Sequence, residues 1–374
     1  MSASVDPTRT GAVIGCGRMG AFTSASVRAY GPSCFLPSAH AEAMETAQGL
    51  KLVALCDADR AAVERARQLY AGASLYTEAG ALLDEHAPDL IGLATRTIGR
   101  ADLIERCLEA GTRALHVEKP LCNTLSELER LEERLAPDDV FVTLGAVRRH
   151  FAVYQHALEQ ARSGVYGALL ASHAEFGART LYWSHPHTVD LLLFAAAGAR
   201  VEAVQARLGA VEGEGATILN DPVVLEVSVW FEGGYSGHIT RMSGTDWRLA
   251  CETAQIAVVG NGSSVWRSGR PMLDANAPDP GPAGAYPYHE PERLPLPSCG
   301  KAEGALAPLT QLIACLNGDR EAQRANAAIK RDILTGQRIL FAIAQSHLEG
   351  GRPVALSAID PALRIEARTK GAPA

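Results

Sequence analysis

Lysine is scarce in this chain of 374 residues, with five lysines against thirty arginines. A lysine at a functional position is therefore not an arbitrary choice of cation. No stretch reaches the ~18 uninterrupted apolar residues that a membrane span requires, and residues 1–10 carry neither the positive n-region nor the apolar h-region of a secretory leader. The chain is expected in the cytoplasm, with no membrane partner. A net charge of -7 and a pI near 5.9 lack the basic footprint of a nucleic-acid binder. The eight cysteines (Cys16, Cys34, Cys56, Cys107, Cys122, Cys251, Cys299, Cys315) contain no C-x-x-C pair. Reduced thiols packed as small hydrophobes are expected, rather than disulfides or a metal site. Internal repeats and low-complexity tracts are absent too.

What the chain does have is 47% hydrophobic residues at a mean hydropathy of zero, enough for ordinary buried cores. Its length suggests two domains at roughly 150 residues each. Up to about Arg148, short apolar runs alternate with helical patterns, the grammar of βαβ units and a parallel sheet. The strands are Ala12–Ile14, Leu52–Leu55, Leu90–Ala94, Ala114–Val117 and Val140–Gly145. Helical periodicity marks Arg60–Tyr70, Thr77–Glu85, Ala101–Ala110 (stopped by Gly111) and Ser126–Leu135. Beyond Arg148 come a helix over Ala152–Ser163, a strand over Leu169–Phe176 and a helix opening near His187. Strands without interleaved helices then follow: Val201–Leu208, Val223–Phe231, Tyr235–Met242 and Ala254–Val259, with Glu232-Gly233-Gly234 as a hairpin turn. Ala275–Pro295 reads as a long surface loop and Ala327–Leu348 as a late helix. The expected fold is α/β. Residues 1–148 form a doubly wound Rossmann domain, and residues 149–374 an α+β domain with a large, mostly antiparallel open sheet.

Gly15-x-Gly17-x-x-Gly20 follows the first strand and is expected to open a helix. Gly15 would make the tight turn, Gly17 would admit a pyrophosphate close to the backbone, and Gly20 would allow helix packing. Arg18 and Met19 belong to the same loop. The free N–H groups of the helix start favour phosphate there. Asp57, ending the second strand, is the carboxylate expected to hold the ribose hydroxyls, although it comes 37 positions after Gly20 instead of ~20. The excess is assigned to an insertion over residues 30–48, where Gly31, Pro32 and Pro37 break the helix. A carboxylate at Asp57 would repel a 2′-phosphate and favours NAD, while Arg60 nearby keeps NADP open. Thr95 and Arg96 end the next strand, where ligand contacts of a parallel sheet lie.

Glu118-Lys119-Pro120 closes the strand Ala114–Val117 about one hundred residues after the glycine motif. Transfer of a hydride from a carbinol carbon needs a group that takes the hydroxyl proton, and a partly buried lysine suits that role. A second cluster runs from Trp183 through His185-Pro186-His187 to Asp190. With Pro186 at the first helical position, His187 and Asp190 would share one face of the first turn, Asp190 supporting His187 as acid or base. His185 and His187 lack a third ligand at usable spacing, so no metal is expected. Arg148, Arg179, Tyr182 and Trp183 are candidates for contact with substrate.

The glycine motif, Glu118-Lys119-Pro120-Leu121, His187-x-x-Asp190-Leu191 and Gly198, with Arg148-Arg149 after the strand Val140–Gly145, together resemble the Gfo/Idh/MocA oxidoreductases (glucose-fructose oxidoreductase, inositol dehydrogenase and relatives). The resemblance runs over most of the chain. It implies oxidation or reduction at a sugar, cyclitol or nucleotide-sugar carbon with NAD or NADP, Glu118 beside the cofactor, Lys119 and His187 as the active pair, and homo-dimers or homo-tetramers through the second sheet. Inositol dehydrogenase-like members have an Asp four residues before the histidine, where this chain has Trp183. An indole there could stack on a sugar ring or a base. The alternatives left by the sequence are a redox-neutral, NAD-dependent glycoside hydrolase of the same family and a non-catalytic dinucleotide-binding regulator.

Overall fold

Short apolar runs between turn residues suit strands buried on both faces. In the computed structural model, which describes residues 8–269, 290–297 and 303–368, those runs are strands. β1 (Arg9–Ile14), β2 (Leu50–Cys56), β3 (Ser74–Tyr76), β4 (Leu90–Leu93), β5 (Ala114–Val117) and β6 (Phe141–Leu144) form one parallel sheet in the order β3-β2-β1-β4-β5-β6. The order reverses between β1 and β4, so the ligand crevice belongs outside the carboxyl ends of those strands. Val13, Leu90, Ile91, Leu93, Leu115 and Val117 are wholly buried. β3 has no counterpart in the apolar pattern because it is a three-residue edge strand that leaves its side chains partly in solvent.

The helices of this half are α1 (Ala25–Tyr30), α2 (His40–Thr46), α3 (Arg60–Arg67), α4 (Ala79–His86), α5 (Arg100–Glu109) and α6 (Leu125–Leu135). α6 illustrates why they form where they do. Thr124 Oγ1 accepts the Glu127 amide at 3.1 Å and Glu127 returns the bond to the Thr124 amide at 3.0 Å, a reciprocal cap. Leu125, Leu128, Leu131 and Leu135 then fall on one buried face.

The helix expected after the glycine motif is interrupted. Gly17 to Ala21 make a single turn, with the Ala21 amide on the Gly17 carbonyl at 2.9 Å, and the chain then leaves the helical path. It returns at α2, whose first amides donate back across the gap: His40 N to Met19 O and Ala41 N to Gly20 O, both at 2.8 Å. With residues 23–39 excised, His40 and Ala41 would fall four residues after Met19 and Gly20, the α-helical step. Asp57 would then fall twenty after Gly20, the spacing of a dinucleotide fingerprint. The insertion is therefore residues 23–39, not 30–48; Ala41, Ala43 and Met44 belong to the buried helix itself. Thr23 pins its base: Oγ1 accepts the Ser38 and Ala39 amides at 3.1 and 3.2 Å and donates to Glu42 at 2.6 Å. Its far end reaches the second half of the molecule. Phe35 meets Phe151 edge to face at 4.8 Å, and the carbonyls of Cys34 and Pro37 accept the amides of Gly304 and Ala305 at 2.7 and 2.8 Å.

The second half opens with α7 (Ala152–Arg162), β7 (Leu169–Glu175) and α8 (Leu181–Ala196). There follow β8 (Val201–Leu208), β9 (Gly213–Glu214), β10 (Thr217–Ile218), β11 (Val224–Phe231), β12 (Ser236–Thr240), β13 (Asp246–Cys251), β14 (Ala254–Val259), β15 (Ser264–Gly269) and β16 (Glu292–Leu294). Eight of these strands make one sheet in the order β16-β15-β14-β13-β7-β12-β11-β8, antiparallel except for the parallel β7–β12 pair. Gly233 and Gly234, both at positive φ, turn the β11–β12 hairpin as their sequence suggests. Most of the loop expected over 275–295 lies outside the described residues, as does Cys299; within them, Glu292–Leu294 is β16 rather than loop. α9 (Leu306–Leu316), α10 (Arg320–Leu348) and β17 (Arg364–Ile365) end the fold. α9 and α10 return to the first sheet: Leu309 and Leu312 join Val13 and Leu52 in one core, and Asn326 bonds both the amide and the carbonyl of Val142. Among the described residues no helix is long and apolar enough to cross a membrane.

Because the stitched hydrogen bonds already hold the helical path, excision of residues 23–39 should leave a cooperatively folding protein. Its Tm should fall by roughly 5–10 °C from the loss of the Phe35–Phe151 contact. Loss of the cooperative transition in a circular-dichroism melt would show that the excursion is part of the core.

Candidate active site

At the end of β1 the backbone approaches its neighbours too closely for side chains. Gly15 sits at φ +102°, and a Cβ there would lie 2.6 Å from the Ala94 carbonyl carbon; one on Gly20 would lie 1.6 Å from the Gly15 oxygen. A Cβ on Gly17 would meet nothing within 4 Å, so this is where the loop stays open to an approaching group. Asp57 braces the loop, its carboxylate accepting the Cys16 amide at 2.7 Å and the Asp59 amide at 2.9 Å. Cys16 itself is buried, and its thiol is pushed up to about 12 by burial and by the Asp57 charge. Arg18 and Met19 lie on the exposed side of the turn, and Arg96 is likewise exposed. Thr95 faces inward, its Oγ1 buried without a partner. The open space at Gly17, the unpartnered Thr95 hydroxyl and a carboxylate at the end of β2 fit a dinucleotide along this edge.

β5 delivers Glu118 and Lys119 to the same crevice, with the Glu118 amide on the Leu93 carbonyl at 2.8 Å. The Glu118 carboxylate is buried in the space that Gly145 leaves, where an added Cβ would come within 2.7 Å of it. It lies 3.4 Å from His40 Nε2, and the His40 ring stands 4.5 Å from that of His116. Burial alone would raise the carboxyl, but the His40 hydrogen bond and the charges of His40, Lys119 and His116 outweigh it and hold Glu118 well below the carboxylate range. Lys119 is half-buried. Its Nζ donates to the Trp183 carbonyl at 2.6 Å and stands 4.1 Å from the centroid of the indole. Burial lowers the lysine from its ordinary value, with Arg100 and Arg148 adding to the fall and Glu118 and Asp221 opposing it.

Arg100 was not among the expected residues, yet it fastens the crevice. Its buried guanidinium donates to the carbonyls of Thr95, Glu118 and Pro120, tying the ends of β4 and β5 together. A cation in the first turn of a helix opposes the helix dipole, and that local mismatch is the signal the sequence carried for it.

α8 starts earlier than Pro186 implied. It opens at Leu181, and its first amides are capped from another segment: Asp221 accepts the Tyr182 amide at 2.7 Å and the Trp183 amide at 3.0 Å. Pro186 thus lies inside the helix. His187 is half-buried beside Phe176, with Nδ1 unpartnered, and burial followed by the Arg148 and Lys119 charges holds it well below its ordinary value. Lys119 and His187 are thus brought within electrostatic reach of each other. Asp190 does not support His187. Its carboxylate bonds Arg149 at 2.9 and 3.0 Å, and Arg149 also holds Asp332 at 3.0 Å, all three buried. The i, i+3 spacing to His187 is real, but that face of α8 turns to Arg149 and α10.

The four substrate candidates part company as well. Trp183 is 59% exposed at the rim of the crevice. Arg148 is buried between the rings of Phe35 and Phe176, with Nε and Nη2 on Asn261 Oδ1 at 3.0 and 2.8 Å. Tyr182 points away, its hydroxyl on Gln337 of α10 at 3.2 Å, and Arg179 is exposed beside the strand ends. Among the described residues no three His, Cys, Asp or Glu side chains gather as a metal site.

His185 is buried next to this cluster, with Nδ1 on Thr188 Oγ1 at 3.0 Å and Nε2 unpartnered, and burial pushes it down to about 4. A histidine whose folded value lies below its unfolded ~6.5 contributes stability above that value, and the contribution is lost as pH falls toward the folded value. This contribution should appear as a fall in Tm between pH ~6.5 and pH 4 that is shallower in His185→Gln than in the parent. An unchanged slope in the variant would assign the acid lability elsewhere.

Residues 10–146 match the family model described as "Oxidoreductase family, NAD-binding Rossmann fold". The D-apiose dehydrogenase of Paraburkholderia graminis is 31% identical over 117 residues, which are 31% of this chain and 26% of that enzyme. The chain thus covers about a quarter of the curated relative it matches. Among solved structures, the inositol dehydrogenase homolog of Azotobacter vinelandii, complexed with NADH and myo-inositol, aligns at a TM-score of 0.68 and 15% identity over 93% of this chain and 98% of that one. The aldose-aldose oxidoreductase of Caulobacter crescentus, complexed with glycerol, aligns at 0.68 and 16% identity over 93% and 99%. At those identities the likeness is one of fold, and it extends through both halves of the molecule. The sequence match covers the glycine loop, Asp57 and Glu118-Lys119-Pro120, so residues 10–146 are similar to the NAD-binding Rossmann domain of the Gfo/Idh/MocA oxidoreductases.

Proposed function

We propose that the protein is an NAD-dependent dehydrogenase or reductase acting on a secondary alcohol or ketone of a sugar, cyclitol or nucleotide sugar. The observation that carries this reading is Lys119: a half-buried amine, lowered by its surroundings, at the carboxyl end of β5 beside an open glycine loop. When bound, the nicotinamide dinucleotide supplies the hydride acceptor. The open backbone at Gly17 would admit the pyrophosphate, and Asp57 would take the ribose hydroxyls and disfavour a 2′-phosphate, with Arg60 leaving NADP as the second choice. Thr95 and Glu118 line the same edge.

In the oxidative direction, neutral Lys119 Nζ accepts the hydroxyl proton as the carbinol C–H leaves as hydride and the carbonyl forms. The Trp183 carbonyl receives one lysine N–H and so orients the amine. His187, kept neutral, has a buried Nδ1 without a protein partner and is the second group that could relay the same proton. The exposed indole of Trp183 suits the apolar face of a sugar ring, which supports a carbohydrate or cyclitol substrate. On this reading residues 1–148 carry the cofactor and residues 149–374 the substrate and a homo-oligomeric contact through the eight-stranded sheet, in a cytoplasmic protein.

Lys119→Ala should lower kcat by about 10²–10⁴-fold while leaving the Kd for NAD within a few-fold of the parent. The check is absorbance at the NADH band with NAD or NADP and a panel of inositols, aldoses and nucleotide sugars, beside calorimetry of cofactor binding. Turnover undiminished in the variant would remove Lys119 as the base. Cofactor binding with no net reduction on any substrate would overturn the dehydrogenase reading.

A further inference from the structure

Residue 183 is gripped from both sides. Its amide donates to Asp221 at 3.0 Å, and its carbonyl accepts from Lys119 Nζ at 2.6 Å. Asp221 comes from the turn between β10 and β11, 38 residues beyond the amide it receives, and also takes the Tyr182 amide at 2.7 Å. A helix start needs only an acceptor, which a neutral Asn, Ser or Thr supplies as well as an Asp. Thr180 already stands at the cap position of α8 yet does not cap it. The charge brought in from a distant turn also suits the helix dipole, and it holds the amide of the residue whose carbonyl is the lysine's own acceptor.

The charged and titratable groups around the lysine are Glu118, Asp221, Arg100, Arg148 and His187. Glu118 is committed to the buried side, against His40 and beneath the Lys119 amide. Asp221 is the carboxylate that holds the residue to which the amine is hydrogen-bonded. We infer that Asp221 is a positioning residue for Lys119: it fixes residue 183 so that the Trp183 carbonyl orients the amine, and its charge stabilises the ammonium that forms when the lysine takes a proton. The inference rests on the reading of Lys119 as the proton acceptor. It also accounts for Trp183: with a carboxylate supplied from the β10–β11 turn, position 183 is free to carry an aromatic face.

The test uses full-length protein labelled at lysine ¹³Cε, in which five lysines leave few signals and Lys119→Arg identifies the one of interest. Asp221→Asn keeps an acceptor for the helix and removes the charge. The expected result is a Lys119 titration midpoint lowered by about one unit with a nearly unchanged Tm. Where a substrate is found, the acid limb of kcat/KM should move down by the same amount, a shift that a purely structural cap would not cause. An unmoved midpoint in folded Asp221→Asn overturns the inference. Should that variant not fold, Thr180→Asn in the same chain restores a neutral cap locally and the titration is read there. Because the midpoint is measured without substrate, a lowered midpoint with no nicotinamide-linked turnover would sustain the role of Asp221 while overturning the dehydrogenase reading.

Discussion

Arg149 joins three segments that the chain keeps far apart. Its guanidinium, just beyond β6, is bonded to Asp190 of α8 and Asp332 of α10, and all three side chains are buried. Removing one partner from such a group costs about 3–5 kcal/mol because an uncompensated charge is left behind. The consequence is geometric as much as energetic. α8 cannot rotate or slide without breaking this contact, and α8 carries Trp183 and His187. The register of the crevice on its C-terminal side follows from this buried ion cluster.

On the other side the constraint is steric. The turn at Gly15 and Gly20 passes so close to Ala94 and to itself that neither position accepts a Cβ, and Arg100 then ties the ends of β4 and β5 by their carbonyls. Between these two fixed walls lie the amine of Lys119 and the ring of His187, both held less readily protonated than in water by burial and by nearby arginines. A site built this way shifts both groups toward their neutral forms.

The excursion of residues 23–39 links the two walls. It leaves the glycine turn, puts Phe35 against Phe151 and over Arg148, and lets α2 resume as though nothing had intervened. The long gap between Gly20 and Asp57 was visible as an excess, but its bounds were not. Proline and glycine mark where a helix cannot run, whereas the point of departure is set by hydrogen bonds between residues twenty-one positions apart, Met19–His40 and Gly20–Ala41.

Local periodicity was enough to read β1, β2, β4, β5 and β6, since a strand buried on both faces writes itself as a continuous apolar run. It was enough to read the glycine turn, and the scarcity of lysine drew attention to Lys119. Edge strand β3, exposed and three residues long, left no such trace. The start of α8 was misplaced because its cap, Asp221, lies in another segment, and Asp190 was given to His187 because a helical face can be deduced without its neighbour. The sequence by itself determined which apolar runs form the core of the first sheet, where the glycine turn falls and which side chains could carry chemistry. The tertiary structure alone decided which charges meet, because burial patterns are written in adjacent residues while ion pairs and caps form between segments that only folding brings together.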